Sequence, residues 1–399
     1  MWNLILDELL HIQLPPGCHL QAFADDVLLV VSSKHLPELE TVANTALDVI
    51  SKWGESVKLT FGPEKTQAIA FTPKAKHSHI TMHGSDLAFS RQIKLLGVII
   101  DEKLTFHSHL QHVITKATRI FNKLCMYSRP TWGAHPENIR TIYHHVIEPT
   151  ITYAAGIWGH ITSKKYVKKR LTSLQRGFAI KAIRAFRTVS TPAALAIAQF
   201  VPLDLKVREV HQLDKQEDES GHSGVAGNEA ADVAANAAAT SHRTPDYHKF
   251  PISYVKHKLR KYNKELWQER YTSAEQGKHT KNLLPDLASL RLLWKHTDYD
   301  FYLIQYLTGH AFHKVYLHRF KITQDDRCPC DPNTIQTLKH IFEECPHFTA
   351  PRLGYEMACN HLNMPPYNLA GMIKNKEALE RLKTYIKIIL QNLNAYNDT

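Results

Sequence analysis

Apolar positions in the first hundred residues fall into short alternating runs around one long helical repeat. Residues 19–23 and 27–31 are β-type runs on either side of Ala24-Asp25-Asp26. They predict a hairpin with two acids at its tip. Over 36–53, Leu39, Val42, Ala43, Ala46, Val49, Ile50 and Trp53 recur at three- and four-residue spacing. That spacing predicts an amphipathic helix, with Pro37 in its first turn. Short strands are expected at 57–61 and 67–71, separated by Gly62-Pro63, and again at 80–83 and 92–100. The first 103 residues therefore read as α+β with antiparallel strands.

From 104 to 212 the period changes to helical. Apolar residues predict helices over 106–127, 136–153, 163–186 and 192–200, punctuated by Pro130, Pro149, Pro192 and Pro202. Residues 213–220 are charged and read as a linker. A Gly-rich stretch and an Ala-rich helix over 229–239 follow. A further helical region covers 251–320, a Cys/His cluster lies at 328–345, and an amphipathic helix closes the pattern at 376–393. No internal repeat or low-complexity tract is visible.

Composition narrows the class. The chain has 399 residues, 43% apolar and 22% charged, which fits two or three globular domains rather than wholesale disorder. Its longest apolar runs fall short of a membrane span. The start, Met1-Trp-Asn-Leu-Ile-Leu-Asp-Glu, lacks a basic n-region and carries Asp7 and Glu8, so no secretory signal is expected. Six cysteines are too few for a disulfide scaffold, and three cluster late. Both features point to an intracellular, reducing location, cytoplasm or nucleus. The net charge of +11 suggests a polyanionic partner.

Two clusters suggest metals. Asp25 and Asp26 repel each other at a tight turn, and a divalent cation such as Mg²⁺ would relieve that repulsion. Phosphoryl-transfer enzymes use paired carboxylates in this way, although Asp-Asp is also ordinary turn chemistry. Cys328, Cys330, His340 and Cys345 form a Cys₃His set whose soft donors favour tetrahedral Zn²⁺. The single residue between the first two cysteines is tighter than the usual spacing. His347 is a competing ligand. Cys18, Cys125 and Cys359 have no partner pattern and read as buried or inert.

In order along the chain, Phe23-Ala-Asp-Asp26, Leu59-Thr-Phe-Gly-Pro-Glu-Lys-Thr66 and Ile93-Lys-Leu-Leu-Gly-Val-Ile-Ile-Asp101 resemble palm motifs of reverse transcriptases from non-LTR, LINE-type retrotransposons. Pro149-Thr-Ile-Thr-Tyr153, Trp158, Gln175-Arg176 and Pro202-Leu-Asp-Leu205 resemble the thumb and the region after it. The resemblance implies that Asp25 and Asp26 are catalytic Mg²⁺ ligands, that Lys65 acts on the pyrophosphate leaving group, and that 95–97 is the primer-grip turn. It also places the start of the chain inside the palm, after the strand that carries a further metal-binding aspartate. No polymerase activity is therefore expected of this chain alone. Residues 221–232 resemble the last active-site segment of type-1 RNase H, with His222 as its mobile histidine and Asp232 as a metal ligand. The family's upstream RNase H carboxylates have no room here, which implies a remnant without hydrolysis. Thr337-Leu-Lys-His-Ile-Phe-Glu-Glu-Cys-Pro346, preceded by Leu307-Thr-Gly-His310, resembles the C-terminal zinc knuckle of jockey-like and rDNA-inserting elements.

Over 161–187 the chain carries Lys164, Lys165, Lys168, Lys169, Arg170, Arg176, Lys181, Arg184 and Arg187 and no acid. A solvated basic face is one reading. Contact with a phosphate backbone is the other, and it suits a thumb that grips template and primer. The expected layout is a partial palm at 1–103, a helical thumb region at 104–212 and an RNase H remnant at 213–240. A helical region at 241–325, a zinc knuckle at 326–350 and a helical tail at 351–399 complete it. The function this implies is a fragment of an RNA-directed DNA polymerase, a nucleotidyltransferase that takes an RNA template and a DNA primer or target. The rival is a nucleic-acid-binding protein without catalysis.

Overall fold

Two units, Met1–His112 and Val113–Thr399, divide the chain in the computed structural model, which describes residues 2–129, 131–220 and 251–398. The RNase H-like residues His222 and Asp232, and the expected helix at 229–239, lie outside the described residues. Among the described residues every sheet is a two-stranded antiparallel hairpin, and no helix is long and apolar enough to cross a membrane.

The first unit is built on helix α2 (Leu36–Ser56), which buries Ala43, Ala46, Ile50 and Trp53 as the spacing predicts. Strands β1 (Cys18–Phe23) and β2 (Asp26–Val31) pair with Phe23 opposite Asp26. Side chains alternate across a strand. One face, with Leu20, Ala22, Val27 and Leu29, packs on Leu6 and Leu9 of α1 (Trp2–Leu10) and on Ile50 and Trp53. Each large side chain buried there contributes roughly 1.5–3 kcal/mol. Hairpins β3 (Thr81–Met82) with β4 (Ser85–Asp86), and β5 (Gln92–Leu95) with β6 (Val98–Asp101), complete the unit.

The expected strands at 57–61 and 67–71 are not formed. The Leu59 N–H instead bonds to the Gly54 carbonyl, Thr66 closes a turn onto Gly62, and Ala68 makes an isolated bridge to Phe89. Leu59 and Phe61 pack around Trp53 and Ile50. The apolar pattern there reports burial against α2, not ladder pairing. A side chain at Gly54 would sit 2.8 Å from the Leu59 carbonyl, so glycine permits this close return.

The second unit is mainly helical, and α3 (His107–Met126) leads into it. The expected helix at 136–153 is broken into α4 (Pro136–Ile142), a π turn (Tyr143–Ile147) and α5 (Glu148–Thr152). Pro149 supplies the cause: it has no N–H to donate back and its ring crowds the preceding turn. Helix α7 (Lys165–Ala182) follows α6 (Ala155–Trp158) and stops before Arg184, whose φ is 54°. Helix α8 (Thr191–Ala198) is buried from Ala193 onward. The 213–220 stretch is not a linker but the end of α9 (Leu203–Ser220). Leu213, Lys215, Gln216, Glu217 and Glu219 are good helix formers by type, and the buried Asp204 and Glu209 earlier in α9 pair with Arg270 and Arg260 of α10 (Ile252–Ser273). Helices α11 (Lys278–Leu283), α12 (Leu287–His296), α13 (Phe301–Thr308) and α14 (Lys314–Arg319) lead to hairpin β7 (Arg327–Cys328) and β8 (Asp331–Ile335). The chain continues through α15 (Thr349–His361), α16 (Leu369–Met372) and α17 (Lys376–Asn397). Tyr355 stacks on Tyr385 at 4.4 Å, which locks α15 to α17.

Two buried histidines give the fold a pH limit. Burial pushes His109 and His313 down to about 4. The Nδ1 of His109 accepts from the Ile99 N–H, and the Nδ1 of His313 bonds to the Ala311 carbonyl. Below the ordinary value of 6.5 the unfolded chain binds protons that the folded chain refuses. Stability is therefore complete above about pH 6.5 and is lost progressively down to pH 4, by roughly 3 kcal/mol for His313. Urea midpoints followed across that window should fall with pH. The slope should flatten in His313→Asn, whose side-chain amide keeps a donor for the Ala311 carbonyl; an unchanged slope would contradict the assignment.

Candidate metal centre and nucleic-acid interface

The Cys/His cluster is assembled by two local devices. The β7–β8 hairpin turns at Pro329-Cys330 and carries Cys328 and Cys330. The π turn His340–Glu344 brings His340 round to Cys345, which ends it. One donor atom from each of the four residues lies within 4.8 Å of the others. The Cys328 and Cys345 sulfurs are 3.9 Å apart, and the Cys330 sulfur is 3.3 Å from His340 Nε2. A tetrahedral zinc with bonds of about 2.3 Å to sulfur and about 2.0 Å to nitrogen requires donor separations of about 3.5–3.8 Å. The separations, from 3.3 Å to no more than 4.8 Å, bracket those values, so the donor set fits Zn²⁺ with a contraction of about 1 Å at most. Among the described residues it is the one such group of three or more metal-capable side chains.

Outer groups orient the donors. Glu344 lies 3.5 Å from His340 Nδ1, which leaves Nε2 facing the sulfurs. The Tyr396 hydroxyl is 3.6 Å from the Cys328 sulfur and 3.8 Å from that of Cys345. The Gln336 amide donates to Cys328 and also to Asn397, which in turn donates to the Phe312 carbonyl. Burial pushes the Cys328 thiol up, but the Cys330 N–H, Tyr396 and Gln336 outweigh it and bring it to about 7. Burial and the neighbouring sulfurs push Cys330 up to about 12. The two values differ because sulfurs this close resist sharing negative charge, a conflict that a divalent cation removes. The sequence reading missed Tyr396, Gln336 and Asn397. His347, weighed there as a ligand, stacks on Tyr396 at 3.9 Å instead.

The paired acids sit where the hairpin reading puts them. Ala24 and Asp25 form the turn, with φ of 53° at Ala24, and Asp26 opens β2. Both carboxylates are exposed. Asp26 lies on the face away from α1 and α2 and lines a cleft of 390 Å³ with Phe23, Leu28, Leu95 and Leu96. The cleft thus brings the acid hairpin to the Leu96-Gly97 turn, where both residues have positive φ, as a tight two-residue hairpin requires. Asp25 and Lys65 do not line it; Lys65 is exposed in the turn after Gly62. Asp101, from the same motif, is not a free acid. It accepts the N–H groups of Lys103, Thr105 and Phe106, and although burial opposes ionisation, these bonds hold its carboxyl below the usual range.

The basic run divides in two. Lys164, Lys165 and Lys169 are exposed, and Lys168 and Arg170 half-exposed, around the first turns of α7. Five cations there oppose the helix dipole, an arrangement a bound anion would relieve. Toward the far end the charges serve the fold. Arg176 donates to the Arg187 and Val189 carbonyls, and Lys181 donates to the Ser128 carbonyl. Arg184 is half-buried, and Arg187 is exposed. Beneath them Gln175 is fully buried, donating to the Tyr143 hydroxyl and the Val201 carbonyl and accepting from the Leu203 N–H.

Comparison with known proteins places this chain. It is 22% identical over 396 residues to the Pol polyprotein of type-1 retrotransposable element R1 2 from Nasonia vitripennis, covering 97% of this chain and 92% of that one. It is 24% identical over 393 residues to the 115 kDa protein of element R1DM from Drosophila melanogaster. Its homologues are retrotransposon Pol polyproteins. The chain spans 36% of the R1DM protein, about a third of its length. A shorter match, 26% identical over 152 residues, joins it to the RNA-directed DNA polymerase of mobile element jockey from Drosophila funebris, covering 37% of this chain and 16% of that one. No family model matches the chain. No solved structure matches it.

Proposed function

We propose that the chain is a nucleic-acid-holding portion of a retrotransposon Pol polyprotein, with Zn²⁺ as a structural ion and Mg²⁺ at the acid hairpin. Four protein donors leave no open position on the zinc, so Cys328, Cys330, His340 and Cys345 would fix the fold around 328–348 rather than catalyse. Lys164, Lys165, Lys168 and Lys169 would hold template and primer through phosphates. Asp25 and Asp26 would supply metal ligands for attack of a primer 3′-hydroxyl on a nucleotide, and Lys65 would donate a proton to the leaving pyrophosphate. His222 and Asp232 would belong to an RNase H remnant. The partial palm, thumb, remnant and knuckle boundaries set out from the sequence remain part of this proposal.

The observation that carries the reading is homology along nearly the whole chain to Pol polyproteins, together with a donor set of zinc geometry. Binding without catalysis is the second reading. It is favoured because the described residues bring no third metal-capable side chain to Asp25 and Asp26. A filter-binding salt titration and a primer-extension assay on the same preparation test both. Binding that weakens steeply with salt, and weakens about tenfold or more when the four lysines become glutamates, is expected. Salt-independent binding, or none, would overturn the proposal. Extension abolished by Asp26→Asn supports the catalytic reading, and binding with no extension supports the second.

A further inference from the structure

Three segments singled out by sequence converge on one cleft that the metal centre and the α7 lysines do not use. They contribute Arg176, Thr308-Gly309-His310 and Thr337-Leu338-Lys339 to its lining. The cleft has a volume of 780 Å³. Its exposed rim carries Lys278, Arg319 and Lys339, and Glu275 is the one acid that lines it. Lys339 pairs with Glu344 at 3.6 Å, but both are largely exposed, so the pair is weak and exchangeable.

The walls expose backbone rather than bulk. Gly277 and Gly309 have φ of 74° and 72°, and side chains there would strike the Ser190 hydroxyl and the His279 ring. Ser190 is the N-cap of α8, yet its hydroxyl makes no cap bond and has no hydrogen-bond partner. Helix α8 therefore turns a bare N-terminus to the same space that the three cations surround, with the buried, unpartnered Ser190 hydroxyl at its edge. A negative group is favoured there. The histidines of the floor are not the source of charge: His310 and His313 bond to the Thr308 and Ala311 carbonyls. One wall ends at Lys339, next to the metal-facing His340, and the Thr337 hydroxyl accepts the His340 N–H. The metal centre thus sets the position of that wall.

We propose that this cleft binds the phosphodiester backbone of a single nucleic-acid strand, with Lys278, Arg319 and Lys339 contacting successive phosphates and Ser190 donating to one of them. A duplex is too wide for a space of this volume. The proposal rests on the nucleic-acid reading above and adds a second, separate contact surface to it.

The test uses the full chain loaded with zinc. Fluorescence anisotropy follows a labelled oligothymidylate and the matching oligouridylate through a salt titration, with unlabelled mononucleotide as competitor. The variant Lys278→Glu, Arg319→Glu, Lys339→Glu should weaken binding about tenfold or more and lower the salt slope by about 2, the share of three single-strand phosphate contacts. The conservative variant Lys278→Arg, Arg319→Lys, Lys339→Arg should retain binding, and zinc content and thermal melting show whether each variant is folded. If the reversal variant is folded and binds as the parent does, the cleft proposal is wrong, while loss of binding in the α7 lysine variant would leave the broader reading standing. If the parent binds neither strand, both fail. Displacement of either strand by mononucleotide at matched phosphate concentration would assign the cleft to a free phosphate and overturn the strand proposal.

Discussion

Removing zinc should unfold the region around the Cys/His cluster and release the last helix from it. The purified chain is expected to carry one zinc per molecule, and a chelator or Cys345→Ser should lower its melting temperature and strip that metal. The effect is large because binding energy in such a site is folding energy, about 10 kcal/mol or more for structural zinc in small domains. The hairpin with its bulge and the π turn of residues 327–348 are not stable alone, and beside the donor set they are held by the buried Ile341, Phe342 and Phe348 and by the Tyr385 hydroxyl donating to the Phe342 carbonyl. The loss should spread along a definite route. Tyr396 hydrogen-bonds both buried sulfurs, and Asn397 joins Gln336 to the Phe312 carbonyl. Hydrogen exchange should therefore quicken at 327–348 and at 390–397 together. Cys359→Ser is the control, since Cys359 is buried but outside the donor set. A chain without zinc, melting identically with and without chelator, would end the metal assignment.

The parts of this structure legible in the sequence are those encoded over a few residues. Helix α2 follows from its own spacing, the acid hairpin from two β runs around a turn, and the π break near Pro149 is explicable from one residue. The errors share a different cause. Residues 57–71 alternate like strands because Leu59 and Phe61 pack against α2, and burial alone gives the same pattern as pairing. Residues 213–220 read as a linker because charge was weighed above helix propensity. The donor set was visible because its members lie within 18 residues, but Tyr396 and Asn397 arrive from some 50 residues further on. Nothing in a single sequence announces that contact. The basic run shows the same limit: nine positive charges look alike in sequence, and only packing separates the exposed Lys164, Lys165 and Lys169 from Arg176 and Lys181, which hold backbone carbonyls.

That division makes the second large effect a loss of stability rather than of binding. Gln175→Leu should destabilise the helical unit by about 3–5 kcal/mol, read as a fall in urea midpoint at constant slope. Leucine matches the volume, so no cavity explains the loss. What it removes is the partner of three groups at once. The Tyr143 hydroxyl is fully buried against Phe178 and Phe200, and the Val201 carbonyl and Leu203 N–H sit at the start of α9. A buried polar group left unpaired costs about 1–3 kcal/mol. Lys169→Ala, six residues earlier on the same helix, should leave the unfolding free energy within about 0.5 kcal/mol of the parent, because an exposed lysine makes no such contacts. The two variants should also part in the opposite direction. Lys169→Ala weakens nucleic-acid binding and lowers its salt dependence, whereas Gln175→Leu, assayed where it is still folded, binds as the parent does. A loss of unfolding free energy below about 1 kcal/mol for Gln175→Leu would mean that the network at the base of α7 is not what holds this helix in place.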